Sequence, residues 1–201
     1  MARYITIERE YGSGGRYIAN KLANVLNIEC YGRKILERAA KDLHVLPSDI
    51  EKYEENSTNS FIYSMLMMGQ VSGDDRERLA KDGKLFVAEQ KAIREFANNG
   101  PCIFLGHCAS EALKDEDDVI KVFIKSDLES RKRRLKDEYE IPEAEILNTI
   151  KHYDKKRANY YAANTKLKWR DLNNYDIILD TSKIDLDSCV LILKTLYMNN
   201  R

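Results

Sequence analysis

No apolar run in the sequence approaches the roughly 18–20 residues that span a bilayer, so no membrane partner is expected. Cysteine is sparse: Cys30, Cys102, Cys108 and Cys189 form no C-x-x-C pair, and His44, His107 and His152 are scattered, which excludes zinc spacing. Cys30, Cys102 and Cys189 stand in apolar strand or helix contexts, where a free cysteine serves as a small core residue. The opening Met1-Ala-Arg-Tyr runs straight into a strand, without the charged and apolar regions of a signal peptide. Both features predict a reducing, cytoplasmic setting. Net charge is absent too. Lys+Arg and Asp+Glu number 33 each, which argues against bulk binding to nucleic acid or anionic membrane while allowing a local basic site. With three prolines and 43% hydrophobic residues, the composition is that of an ordinary globular domain, and 201 residues suit one core with a small inserted subdomain.

What is present is concentrated at the start. Tyr4-Ile-Thr-Ile7 is a β-branched and aromatic run that reads as a short buried strand. Gly12, Ser13, Gly14 and Gly15 break it, and Ile18, Leu22, Val25 and Leu26 then recur at helical spacing on one face. Strand, glycine turn and helix together aim backbone N–H groups and a helix N-terminus at an anion, usually phosphate. Arg16, at the mouth of that helix, adds a charge-assisted donor. The usual phosphate loop reads G-x-x-x-x-G-K-[ST]. With Gly14 as its second glycine, Gly15 stands in place of the lysine, Arg16 in place of the Ser/Thr, and Arg9 in place of the first glycine. A plain strand-to-helix turn that needs glycine for sterics is the competing reading.

Further along, Ile28–Tyr31, Cys102–Leu105, Val119–Ile124 and Tyr175–Asp180 read as strands. Helices are expected over Arg33–His44, Leu85–Asn98, Ala109–Leu113, Leu128–Tyr139 and Leu186–Tyr197, with one long or broken helix over Pro142–Lys168. Residues 53–75 lose periodicity and suit a flap over a cleft, and Met65–Met68 is a helix end packed on the core or on a second copy in a homodimer. Strands alternating with helices, most of them unbroken apolar runs, predict an α/β fold: a parallel sheet of about five strands sandwiched by helices in three layers. Ligands bind such sheets beyond the carboxyl ends of the strands. Glu8–Gly15, Tyr31–Arg33, Gly106–Cys108, Lys125–Asp127 and Asp180–Ser182 are therefore expected to converge on one crevice.

Cations gather near that edge. Arg131 and Arg134 share a helix face, as do Asp154 and Arg157, because residues three apart are neighbours. Such cations suit phosphoryl transfer, in which charge spreads over the transferring group. A solvated helix face is the alternative for a charge run alone.

Ile7-Glu-Arg-Glu-Tyr-Gly-Ser-Gly-Gly-Arg16, Gly100-Pro-Cys-Ile-Phe-Leu-Gly-His-Cys-Ala109 and Asp154-Lys-Lys-Arg-Ala-Asn-Tyr-Tyr161 resemble the cytidylate kinase-like family over nearly the whole chain. The resemblance implies a single P-loop kinase domain over residues 1–201, with a helical monophosphate-binding insertion near 32–84 and a helical lid near 137–172. It implies ATP and Mg²⁺ as cofactors and a nucleoside monophosphate, CMP or dCMP first, as acceptor; a nucleotide- or phosphate-binding protein with weak catalysis, or a small-molecule kinase with a non-nucleotide acceptor, is the alternative. Gly12, Ser13, Gly14, Gly15, Arg16 and Tyr17 would bind the ATP phosphates. Arg16, Arg131 and Arg157, with Arg134 beside them, would clamp the transferring group, and Asp154 would orient Arg157 or the lid. Arg9, Arg33, His107 and Asp154 are the acceptor-side candidates. His107 and Cys108 replace the arginine and the acid of true cytidylate kinases. For Mg²⁺, Ser13 is the nearby hydroxyl and Glu8, Glu10 and Asp180 the carboxylates, with no single ligand singled out.

Overall fold

The computed structural model describes residues 3–45 and 73–199, and of residues 73–82 the backbone alone. Of the segment read as a flap, residues 53–72, with Met65–Met68 among them, lie outside the described residues.

Five strands form one parallel sheet in the order β2-β3-β1-β4-β5: β1 (Tyr4–Arg9), β2 (Glu29–Tyr31), β3 (Cys102–Leu105), β4 (Val119–Lys125) and β5 (Ile177–Asp180). Among the described residues seven α-helices accompany them: α1 (Gly15–Leu26), α2 (Arg33–Leu43), α3 (Gly73–Asn98), α4 (Ala109–Ala112), α5 (Leu128–Tyr139), α6 (Glu143–Thr165) and α7 (Leu186–Asn199). The expected α/β sandwich is the observed fold.

β1 is central because both its faces are apolar. Ile5 and Ile7 pack with Ile18 and Leu22 of α1 and Val190 and Leu193 of α7. On the opposite face Tyr4 and Phe104 pack with Ile35 of α2 and with Ala92 and Ile93 of α3. Alternation along the strand then sends Arg9 to the α1 side and Glu8 to the other. β1 pairs with β3 (Ile7 opposite Leu105) and with β4 (Glu8 opposite Phe123), so the chain leaves all three strands at one edge.

One helix start is corrected, and the choice left open between a long and a broken helix is decided. α3 begins at Gly73, twelve residues before the periodic stretch, because its first half is charged and carries no apolar stripe by which to read it. The Pro142–Lys168 stretch is a single helix without a break, anchored by Ile146 and Ile150 against Leu135 of α5. Asp127 caps α5 as its sequence suggests, its Oδ1 accepting from the Ser130 N–H at 2.7 Å.

Candidate active site

The turn between β1 and α1 is built on positive φ. Gly12 (φ +76°) and Gly14 (φ +82°) carry it, and a β-carbon on Gly14 would stand 2.6 Å from Leu186. Gly14 precedes α1 without any side-chain cap, so the helix presents an uncapped, electropositive N-terminus.

Four side chains hold the loop by its carbonyls. Arg157 Nη1 donates to the Arg9 carbonyl at 2.8 Å, Arg131 Nε to that of Tyr11 at 2.7 Å, and Arg134 Nη1 to that of Gly12 at 2.6 Å. Thr181 Oγ1 donates to the Ser13 carbonyl at 2.8 Å. The Tyr11 N–H in turn donates to Asp154 Oδ1 at 2.8 Å.

Asp154 was expected to orient Arg157 or the lid. Through Oδ2 it binds Arg131 (2.6 Å) and Arg170 (2.9 Å), the second of which stands in the segment read as the lid. Glu10 completes this buried network, meeting Arg170 at 2.8 Å, Arg131 at 3.4 Å and the Ser126 N–H at 3.1 Å. Arg131 is only 5% exposed and spends its guanidinium on these partners.

A cavity of about 580 Å³ opens beside the loop. Among its lining residues are Arg9, Arg16, Arg33, Lys34, Lys156 and Arg157, against the single carboxylate of Glu8. His107, Cys108, Tyr153, Tyr160 and Tyr161 complete much of the wall. The structure thus brings Arg9, Arg16, Arg33, His107 and Arg157 to one cavity, whereas Arg131, Asp154, Gly12–Gly15 and Tyr17 do not line it. The ends of β1, β2 and β3 meet there. The Lys125–Asp127 and Asp180–Ser182 ends stay outside, because Lys125 and Asp180 pair with one another at 2.6 Å and Thr181 serves the loop backbone.

Electrostatics favour an anion in this cavity. Burial first, then the charge of Arg9, presses the Arg157 guanidinium below its usual range, while Glu8, Asp154 and Tyr11 oppose the shift. Arginine keeps its charge at neutral pH even so, and two such cations sharing one wall are relieved by a negative ligand. Arg157 also lies over the Tyr11 ring, 5.5 Å from its centroid, and Tyr11 stacks on Tyr153 at 4.4 Å. The wall thiols are poor nucleophiles. Burial lifts Cys30 to about 11 and Cys108 well above the ordinary thiol range, so both stay protonated.

A model of the cytidylate kinase-like family matches residues 4–183. The chain belongs to that family. Its structure is similar, with a TM-score of 0.71 and 26% identity, to an uncharacterized protein from Eubacterium ventriosum ATCC 27560, over 98% of this chain and 99% of that one. A shikimate kinase from Bacteroides thetaiotaomicron matches at TM-score 0.53 and 13% identity over 98% and 99% of the two chains. A shikimate kinase from Acinetobacter baumannii in complex with shikimate matches at TM-score 0.50 and 12% identity over 100% and 96%. These two place the cytidylate kinase-like chain in the P-loop kinase fold. No curated protein matches its sequence. Family and fold together make it a kinase-like phosphotransferase.

Sequence reasoning missed Glu89, Lys34 and Tyr153. Glu89 left a legible signal: it stands four residues after Leu85 and three before Ala92, an acid on the apolar stripe of α3. Lys34 and Tyr153 sit in ordinary helix contexts and left none.

Proposed function

We propose that this chain transfers the γ-phosphoryl group of ATP to a small phosphorylated acceptor, CMP or dCMP before others. The observation that carries the reading is the cavity wall, which among the described residues presents six cationic side chains and one carboxylate beside an uncapped helix N-terminus. Phosphoryl transfer is almost entirely positioning and electrostatics, and that wall supplies both.

In this reading the loop of residues 12–16, with Tyr17, receives the ATP phosphates. Arg157, Arg16 and Arg9 face the transferring group. Arg33 and His107 serve the acceptor. Arg131 and Asp154 act from behind, by fixing the loop backbone. The insertion near 32–84 would carry the acceptor site and the lid near 137–172 would exclude water, which otherwise competes as acceptor.

Mg²⁺ bound with ATP is held mainly by phosphate oxygens and water, with one or two protein ligands. The residues fit that modest demand. Ser13 Oγ is fully buried without a hydrogen-bond partner and is the hydroxyl suited to the ion, whereas Glu10 and Asp180 are engaged by cations. When bound, the ion would neutralise charge on the β- and γ-phosphates.

A second reading, a kinase with a non-nucleotide acceptor, is favoured by Cys108. It stands where the resemblance puts an acid, and a neutral, 1% exposed thiol cannot replace that group. ADP formation with Mg-ATP against CMP, dCMP, UMP, AMP and GMP tests the proposal. Turnover of about 1 s⁻¹ or more with a pyrimidine supports it. No acceptor-dependent turnover, with ATP still raising Tm, would leave a nucleotide-binding protein without monophosphate kinase activity.

A further inference from the structure

Glu89 is fully buried on α3, and its two carboxylate oxygens are divided between two residues of the cavity wall. Oε1 lies 3.2 Å from His107 Nδ1, and Oε2 accepts from the Tyr160 hydroxyl of α6. The next residue on α3, Gln90, holds His107 from its other end, its Nε2 donating to the His107 carbonyl at 3.2 Å. His107 and Cys108 are consecutive non-glycine residues in the left-handed region, φ +60° and +50°. Such backbone persists only where the surroundings over-determine it, and it clusters at sites of function. The ring is thus held in position, and a carboxylate facing Nδ1 suits the Nδ1–H tautomer, in which Nε2 is the basic nitrogen.

This dyad stands beside the cationic wall. Gly106, adjoining His107, lies against Arg9, whose Nη1 occupies the space a β-carbon on that glycine would need. Arg9, His107, Lys156 and Arg157 line one cavity.

We propose that Glu89 and His107 form a general-base pair, so that the acceptor is an alcohol carrying an anionic group. The inference rests on the second reading above, a kinase with a non-nucleotide acceptor, and commits the acceptor class within it. A monophosphate acceptor attacks through an oxygen that is already anionic and needs no base. A hydroxyl does need one, and a histidine oriented by a carboxylate is the usual solution. In the step, the acceptor oxygen forms a bond to the γ-phosphorus and its proton passes to His107 Nε2. The bond from the γ-phosphorus to the β,γ-bridging oxygen breaks, and its electron pair leaves with ADP. The imidazolium is balanced by Glu89, and the anionic group of the acceptor by the cationic wall, in which Arg33 and Lys34 are already engaged by Glu37 and Glu29. His107 is the catalytic residue here; Glu89 and Tyr160 are positioning residues.

The test supplies Mg-ATP with glycerol 3-phosphate, D-glycerate or glucose 6-phosphate, and separately with CMP and dCMP, and identifies products by phosphorus NMR. A phosphate monoester is expected from at least one alcohol, with kcat/KM falling on the acid side as His107 is protonated. Glu89, Gln90, Tyr160, Lys156, Arg9 and Cys108 are the charged and polar groups around that titration. His107→Asn, chosen because asparagine tolerates the left-handed backbone, is expected to lower kcat by about 10²–10⁴ and remove the acid limb. Glu89→Gln, which keeps shape and volume, should shift the limb and lower kcat by a smaller factor at unchanged KM for ATP. Transfer to CMP or dCMP alone, giving only the diphosphate, overturns the dyad and leaves the kinase reading standing, as does an acid limb unmoved in both variants. Absence of ADP formation with every acceptor overturns both.

Discussion

The side chain of Arg9 lies across Gly15: a β-carbon built on that glycine would stand 2.7 Å from the Arg9 Cβ and 2.9 Å from its Cγ. The same arginine ends beside Gly106. Arg9 therefore threads between two glycines into the cavity and fills the space that a side chain at position 15 would need. Gly15 and Gly106 are then both required by one side chain, and in the proposed function Arg9 would be the cation brought in from the strand.

From that packing, Gly15→Lys is expected to impair the protein although it restores the common loop pattern. Overpacking costs about 1–3 kcal/mol, read as a lower denaturation midpoint. Arg9→Ala removes the cation without the clash and is expected to lower kcat by about 10²–10³. A Gly15→Lys protein with wild-type stability and raised kcat would show that Arg9 does not occupy the lysine's place.

Arg157 bonds the Arg9 carbonyl while its charge faces the cavity. An interaction made mainly with the transition state lowers kcat more than ground-state affinity. Arg157→Ala should therefore reduce kcat by about 10²–10³. ATP affinity, read from ligand-dependent Tm, should change far less. Equal losses in both would make Arg157 a binding residue only.

Ser13 is expected to split stability from activity. Its buried, unpartnered hydroxyl costs free energy in the unliganded protein, so Ser13→Ala should leave Tm unchanged or raise it. If the hydroxyl serves Mg-ATP, the same substitution lowers kcat and raises the Mg²⁺ concentration needed for half-maximal rate. A lower Tm with unchanged Mg²⁺ dependence would assign Ser13 to packing.

Lys125 first, and Ser182 after it, hold the Asp180 carboxyl down to about 2. A lowered carboxyl stabilises the fold above its unfolded value of about 3.9 and loses that contribution as pH falls toward the folded value. Asp180→Asn should thus lower Tm at neutral pH, with the gap to wild type closing between about pH 4 and pH 2. A gap of constant size across that interval would mean that the ion pair contributes nothing.

How much of this was legible follows from the reach of each interaction. The Ile5 and Ile7 stripe and the glycine turn after it are local, so β1, α1 and the sheet class could be read directly from the chain. The cationic character of the site was legible as well, since arginines three apart share a helix face. Which cation faces the cavity was not, because Arg131 and Arg157 look alike in sequence and differ only through Asp154 and Glu10, brought close by the tertiary fold. The division of strand ends was equally hidden: Lys125 and Asp180 are 55 residues apart and meet only in the sheet.

The network behind the loop gives the last prediction. Arg131, Asp154 and Glu10 are each under 10% exposed, and Arg131 and Asp154 touch each other and hold the C=O and the N–H of Tyr11 respectively. Removing one member of a buried pair leaves the other charge unmet, at about 3–5 kcal/mol. Asp154→Ala and Arg131→Ala should each cost at most that much, because Glu10 still meets Arg131 and Arg170 still meets Asp154, and the double variant clearly less than their sum. Arg170, with a side chain 57% exposed, reaches the same carboxylates from solvent, and its loss should cost only about 0–1 kcal/mol. Because the loop backbone hangs on the buried pair, residual turnover in folded Asp154→Ala should fall even though Asp154 does not line the cavity. Additive single and double variants would mean that the two residues hold Tyr11 independently. The loop would then have two separate anchors rather than one coupled latch.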